Sequence, residues 1–465
     1  MPMSRTSFLM TAATLVFAAC EAVPGREEAA EIARNEIEDV PQYWQAAAAR
    51  VGEVENGWIG AFNDPTLDAL VEEAQLNNRN LRAAALNVER SWLLARQAGA
   101  ELSPQVNLTT GGGGQGNFDG AGDSDFSVGV QAQWELDVWG RIRSGQQAAA
   151  ESAEADEADY RFAQLSVAAA VARAYFAAIN AEQQSLISSE IVDALNETGR
   201  IVEVRYDNGF ATAQELALAR ADIASANDTF ATAEQSKDSA LRALEVLIGR
   251  YPAADLFVGL TLPSKPEDPP AGLPSELLER RPDLIAAERR IAATIDTVDQ
   301  AKAARLPQIS LTASAGGSSA DLSSLLSPTN LAWTAASNLL VPLIDGGARR
   351  TQVEINTVEQ QAAVETYADA ALNAFSEVEQ ALADGLTIRR RKIFVEEAKV
   401  QSDEALRLAQ VQYDEGETDL LSVLQLQQSA FAAESTVLTV NRLELDQYVD
   451  LNLALGGNWE DDDVL

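Results

Sequence analysis

At 465 residues the chain has the length of about three ordinary domains. It contains no histidine and one cysteine, Cys20, which removes disulfides, most zinc sites, Cys/His nucleophile pairs and Ser-His-Asp hydrolysis. A net charge of −37, from 71 acidic and 34 basic residues, argues against nucleic-acid binding and calls for a large wetted surface over which self-repulsion can spread.

Residues 1–19 read as a secretory signal, since Arg5 precedes an apolar run from Phe8 to Ala19 that is too short to span a bilayer. Phe17-Ala18-Ala19-Cys20 resembles a bacterial lipobox, which predicts acylation of Cys20. One acyl anchor binds weakly alone and needs a second membrane contact. Residues 20–64 are acidic and without period, and are expected to form an extended strap. Asp64-Pro65 then opens a helix that runs to about Leu102, with Pro104 as its stop.

From Phe126 to Val138 the chain alternates strictly: Phe126, Val128, Val130, Ala132, Trp134, Leu136 and Val138 fall in one register, and polar or small residues in the other. That is a strand with one apolar and one wet face. Gln105 to about Gly111 is its expected partner, and the glycine-rich stretch to Gly122 an expected mobile connector. Strands of this kind, about 104–138 and again about 307–344, suit an outer-membrane barrel. Proline-free tracts follow each pair, Gly145 to Tyr206 and Arg349 to Tyr413, and about sixty helical residues span roughly 90 Å. Tips are expected at 207–211 and 414–418, where Gly209 and Gly416 can take the left-handed turn that ends a helix. Return helices follow, with Leu216, Ile223, Phe230 and Leu244 in the first and Leu424, Phe431, Leu438 and Leu445 in the second at heptad steps. A proline-rich linker, 251–273, separates the halves, and 458–465 is an acidic tail.

The halves repeat one another. Val204-Arg205-Tyr206-Asp207-Asn208-Gly209 returns as Val411-Gln412-Tyr413-Asp414-Glu415-Gly416 at an offset of 207, and Pro104-Gln105-Val106 as Pro307-Gln308-Ile309 at 203. The chain is a tandem duplication of residues 65–250 and 274–457. Four strands cannot close a barrel, and an open edge in lipid leaves backbone groups unpaired, so several copies are required. Two copies would give a filled eight-strand barrel; three give twelve strands and a lumen, which the wet strand face and the acidity favour.

Four further motifs complete the pattern: Trp58-x-x-x-Phe62-x-Asp64-Pro65-x-Leu67, Trp134-Glu135-Leu136-Asp137-Val138-Trp139-Gly140-Arg141, Glu279-Arg280-Arg281-Pro282-Asp283-Leu284, and Asp345-Gly346-Gly347 after the last strand. In this order the chain resembles the TolC family of outer-membrane efflux ducts, in the lipoprotein (NodT-like, OprM-like) branch that works with RND-type pumps. The resemblance implies a mainly α protein with a transmembrane β part, a tandem-repeat protomer of a trimeric 12-strand β-barrel continued by a 12-helix periplasmic α-barrel. It implies a lipid-anchored duct in the outer membrane of a Gram-negative bacterium, docked onto a periplasmic adaptor and an inner-membrane RND-type pump. It implies neither cofactor, metal nor catalytic residue. Adaptor-contacting tips would be Arg205, Tyr206 and Gly209 in the first half, and Tyr413 and Gly416 in the second. The family narrows its periplasmic mouth with aspartates at places that here hold Ser422 and Gln425, a departure from the pattern. Asp414, Glu415, Glu417 and Asp419, with Glu215 from the first half, are the alternative acidic mouth, and Leu421 a candidate apolar constriction; the bland reading is a solvated face. A duct for type I protein secretion, and a coiled-coil periplasmic adaptor or structural lipoprotein, are the competing readings.

Overall fold

The computed structural model describes residues 24–37, 40–46, 52, 54, 56–116 and 122–457; the signal segment, Cys20 and the tail lie outside them. In chain order the helices and strands are α1 Pro24–Glu36, α2 Pro65–Asn77, α3 Arg79–Ala100, β1 Gln105–Gly116, β2 Gly122–Leu136, α4 Arg141–Asp207 and α5 Ala213–Leu247. The second half supplies α6 Pro274–Arg280, α7 Pro282–Ala303, β3 Gln308–Ser319, β4 Leu331–Leu340, α8 Ala348–Glu415 and α9 Leu420–Ala454.

Three expectations are corrected. The strap is not extended throughout, because α1 forms within it: Pro24 stands in its first turn, and Ala29 and Ala33, one turn apart, are buried. The stretch Gly111–Gly116 is strand and not connector, paired residue by residue from Gly111 with Ser127 to Gly116 with Gly122. Glycine shows no side-chain alternation, so the pattern could not reveal it, yet its backbone fills a ladder as well as any other. The helix from Pro65 is two helices, broken at Asn78, whose ψ of 125 leaves helical space.

The break belongs to the repeat. Asn78 Oδ1 accepts the N–H groups of Asn80 and Leu81, which caps α3, while its Nδ2 donates to the Leu247 carbonyl at 2.8 Å. In the second half Arg281 stands between α6 and α7, and its Nη1 donates to the Ala454 carbonyl at 3.2 Å, the counterpart of Leu247. Each return helix closes on a left-handed glycine, Gly249 (φ +81) and Gly456 (φ +68). A Cβ on Gly249 would stand 2.6 Å from the Asn77 carbonyl oxygen, so close approach as well as backbone conformation requires glycine.

The chain folds as two compact units. One comprises the described residues before 38, Arg90–Ala155 and Ala286–Ala368, and holds the sheet; the other comprises 40 to Glu89, Asp156–Ile285 and Asp369 to 457. The second unit has its core where Trp58, Phe62 and Leu67 meet Phe176, Ile179, Leu244 and Tyr448. Phe62 lies 5.2 Å from both the Phe176 and Tyr448 rings, and the Tyr175 hydroxyl donates to Asp64 Oδ2 at 2.8 Å. The apolar middle of α4 is long enough to cross a membrane by composition, but Val171, Ala172, Phe176 and Ile179 are buried in this core.

Candidate functional site

The sheet is antiparallel in the order β1-β2-β3-β4. Its register turns the alternation of single strands into two continuous faces. Leu108 pairs with Val130, Val130 with Ala315 and Ala315 with Trp333; beside this row run Val106, Ala132, Ala313 and Ala335. The opposite face carries Asn107, Gln131, Ser314 and Thr334 in one row. Leu108 and Trp333 are exposed in the single chain, so the middle of the apolar face is left uncovered by the described residues. Such a face with a wet reverse side is the cross-section of a membrane barrel wall.

The strand-to-helix corners account for the motifs after β2 and β4. Asp137 accepts the N–H groups of Ile142 and Arg143 at 3.0 Å, capping α4; Arg141 forks onto Glu135; and Trp139 Nε1 donates to the Pro307 carbonyl at 2.7 Å. Asp345 does the same for α8, accepting from Gly347 and Arg349, which holds its carboxyl below the usual carboxylate range.

Both long helices end in one motif. Phe210 N–H reaches the Arg205 carbonyl at 2.8 Å and Gly209 N–H the Tyr206 carbonyl at 3.0 Å; Glu417 to Gln412 and Gly416 to Tyr413 repeat the pattern at 2.8 and 3.1 Å. Gly209 and Gly416 have φ of +77 and +79, and a Cβ on either would meet nothing within 4 Å. Glycine is needed there for the backbone turn alone. The tips are brought together: the Arg205 guanidinium lies over the Tyr413 ring at 4.5 Å, above a small core of Leu195, Val202, Leu420 and Leu424. Tyr206 is exposed beside them.

The proposed mouth residues divide. Asp414, Glu415, Glu417, Leu421 and Gln425 are exposed. Glu215 and Asp419 instead have local work. Glu215 closes a capping box with Thr212, accepting the Thr212 N–H at 2.6 Å while its own N–H reaches Thr212 Oγ1 at 3.2 Å. Asp419 caps α9 by accepting the Ser422 N–H at 2.8 Å. Backbone donation by Thr212 holds Glu215 below the usual range, helped by Arg205 and opposed by Asp419; backbone donation by Ser422 does the same for Asp419. The sequence reading missed Thr212 and the capping roles, although Thr212-x-x-Glu215 is the sequence form of a capping box. It also missed Phe210, which is 82% exposed where the second tip carries Glu417. Among the described residues no group of three or more His, Cys, Asp or Glu could hold a metal ion.

A sheet with an unpartnered apolar face, a wet reverse side and two free edges defines the class, the protomer of an outer-membrane channel. The profile described as outer membrane efflux protein matches residues 70–250 and 273–457, once in each half. Over 483 residues the chain is 31% identical to the pyoverdine export outer membrane protein OpmQ of Pseudomonas aeruginosa, covering 99% of this chain and 98% of that one. It is 32% identical over 415 residues to the cation efflux system protein CusC of Escherichia coli, covering 87% and 88%. The open-state structure of the Neisseria gonorrhoeae MtrE outer membrane channel superposes with a TM-score of 0.81 at 30% identity, over 92% of this chain and 97% of that one. The chain belongs to the outer membrane efflux protein family, and it is an outer-membrane channel of an efflux pump.

Proposed function

We propose that three copies close into a passive duct, twelve strands in the outer membrane continued by twelve periplasmic helices, which docks through its tips onto a periplasmic adaptor and an RND-type pump. The observation that carries this is the open sheet: among the described residues β1 and β4 each have one paired and one free edge, which lipid cannot satisfy. In a ring β4 of one copy pairs with β1 of the next, and no edge remains. Arg205, Tyr206 and Gly209 with Tyr413 and Gly416 form the docking tips, and the exposed Asp414, Glu415 and Glu417 set an acidic periplasmic mouth. Acylated Cys20 supplies the second membrane contact. Cargo crosses through water; pyoverdine for one relative and cations for another are unlike enough that cargo choice belongs to the pump. The test is the native mass of protein extracted from outer membranes in mild detergent. A mass of three acylated chains is expected, and a monomer without membrane association would overturn the reading.

A further inference from the structure

In the second unit, α4, α8 and α9 carry covering segments on one face. Trp58 and Phe62, from before α2, pack on Phe176 of α4 and Tyr448 of α9. The proline-rich linker continues this layer: Pro263 and Lys265 line a polar hollow with Glu396 of α8 and Asn441 of α9, and Asp268 takes Arg389 of α8. The opposite face holds a second hollow of about 450 Å³, to which α4 gives Phe162 and Arg173, α8 Ala381 and Asp384, and α9 Asp450 and Ala454. The helical turn fixes that these faces are opposite. On α9, Asn441 and Asp450 are nine residues apart, and on α8 so are Arg389 and Gln380, which also lines the second hollow. At about 3.6 residues per turn, nine residues make roughly two and a half turns.

The floor of the second hollow is apolar: Ala381 and Ala454 are buried, with Phe162 and Leu453 half-buried beside them. Its rim is acidic, and the nearby cations are already committed. Arg173 pairs with Asp450, and Arg281, which lies over the Phe162 ring at 5.5 Å, is held by Asp283 at 2.7 Å and Glu377 at 2.6 Å. Asp446, one turn before Asp450 and 8% exposed, holds Arg442 through one oxygen and leaves Oδ1 without a partner among the described residues. Asp384 is exposed and receives the Gln380 amide at 2.9 Å, and no basic side chain meets it among the described residues. We infer that this hollow binds an organic cation with an apolar body, which lies on Phe162 and Leu453 while its charge meets Asp384. An anion finds no uncommitted cation there, and a small hydrated cation gains nothing from the floor. An apolar cation gains from both, since apolar surface leaves water and the unpaired carboxylate fixes its orientation. The hollow belongs to one chain; its place on the wall of a passage rests on the ring reading above. The layer of strap, α2 and linker from three copies fits outside a ring of twelve helices set about 8–10 Å apart and not within it, so the opposite face lines the lumen. Rotation about the ring axis sets the three hollows at one level. A passage must release what it holds, and a half-open hollow with a single unpaired carboxylate gives the weak, brief hold that allows it.

The probe is ethidium, a planar aromatic cation whose fluorescence anisotropy reports binding, titrated into the full chain extracted in mild detergent. Fluorescein serves as the anionic counterpart. One ethidium per chain is expected, and no fluorescein. Asp384→Asn is expected to weaken ethidium about fivefold, the order of an exposed ion pair, and Asp384→Lys to weaken it further. Glu396→Gln removes a carboxylate from the linker side and is expected to leave binding unchanged. Equal weakening by Glu396→Gln and Asp384→Asn would reduce the attraction to overall charge and overturn the inference. Full binding by Asp384→Lys, or binding of fluorescein, would overturn it as well. Phe162→Ala reads the floor: with unchanged helical signal it is expected to weaken ethidium severalfold, and unchanged affinity would remove the apolar part of the site. Native mass of the same samples separates the two readings. A trimer that takes no ethidium would overturn the site and leave the ring intact. A monomer that binds with the same dependence on Asp384 would keep the site and overturn its place in a passage.

Discussion

Asp296 on α7 is 6% exposed, and its Oδ2 has no hydrogen-bond partner among the described residues. Burial, then the neighbouring Glu151 and Asp299, push its carboxyl up to about 6, and Arg26 pulls the other way. Glu151 is itself buried and takes Arg26 from α1 and Arg289 from α7, so one α4 carboxylate fastens two elements. The folded value of Asp296 lies above that of an unfolded chain. Its ionisation therefore penalises the fold at neutral pH, and the penalty fades as pH falls from about 6 to about 4. Asp296→Asn is expected to stabilise at pH 7.5 by about 1 kcal/mol, a figure reduced for partial solvent screening, and to lose most of that gain by about pH 4. Equal midpoints for variant and parent at pH 7.5, in thermal unfolding followed by circular dichroism, would exclude a buried charged Asp296.

At the scale of elements, the strands carry the clearest division of labour. Val130 and Gln131 are adjacent in β2, paired through Val130 with Leu108 and Ala315 and through Gln131 with Asn107 and Ser314. Val130→Arg puts a charge on the lipid face and is expected to cost about 2–4 kcal/mol if near the bilayer midplane, whereas Gln131→Arg on the wet face should cost little. Yield of folded protein in the outer membrane and its urea midpoint read the difference. Equal effects would mean that the apolar face does not meet lipid. The helices pack instead through apolar cores. Arg281 shows how a buried charge can serve such packing: it forks onto Asp283, reaches Glu377 at 2.6 Å and lies over the Phe162 ring, tying α7 to α8 and α9.

For the whole molecule the dominant quantity is charge. The full sequence carries −37, so assembly brings strongly like-charged chains together, while large apolar residues of α8 such as Ile393 and Val400 are left uncovered in the single chain. Salt screens the repulsion and leaves apolar burial intact. Trimer association is therefore expected to strengthen between about 20 and 300 mM NaCl, where the Debye length falls from roughly 20 Å to below 8 Å. Native mass against dilution at the two salt levels measures it. Weakening with salt would show that ion pairs between copies, and not apolar contacts, hold the assembly.

Much of this was legible in the residues themselves. Duplication, strand faces and tip glycines are local properties, because a period of two assigns faces and only glycine takes a positive φ cheaply, so Val130, Gly209 and Gly416 could be placed without coordinates. The family resemblance carried the class of function further than any single motif could. What the tertiary structure alone decided was the pairing of distant segments. Arg205 against Tyr413, Asn78 to Leu247 with Arg281 to Ala454, and the continuation of β1 through featureless glycines all depend on which backbone comes alongside. So does the exposure of Ile393 and Val400 on α8, since apolar residues at helical spacing read alike in sequence whether or not their own chain covers them, and only the packing leaves these two bare.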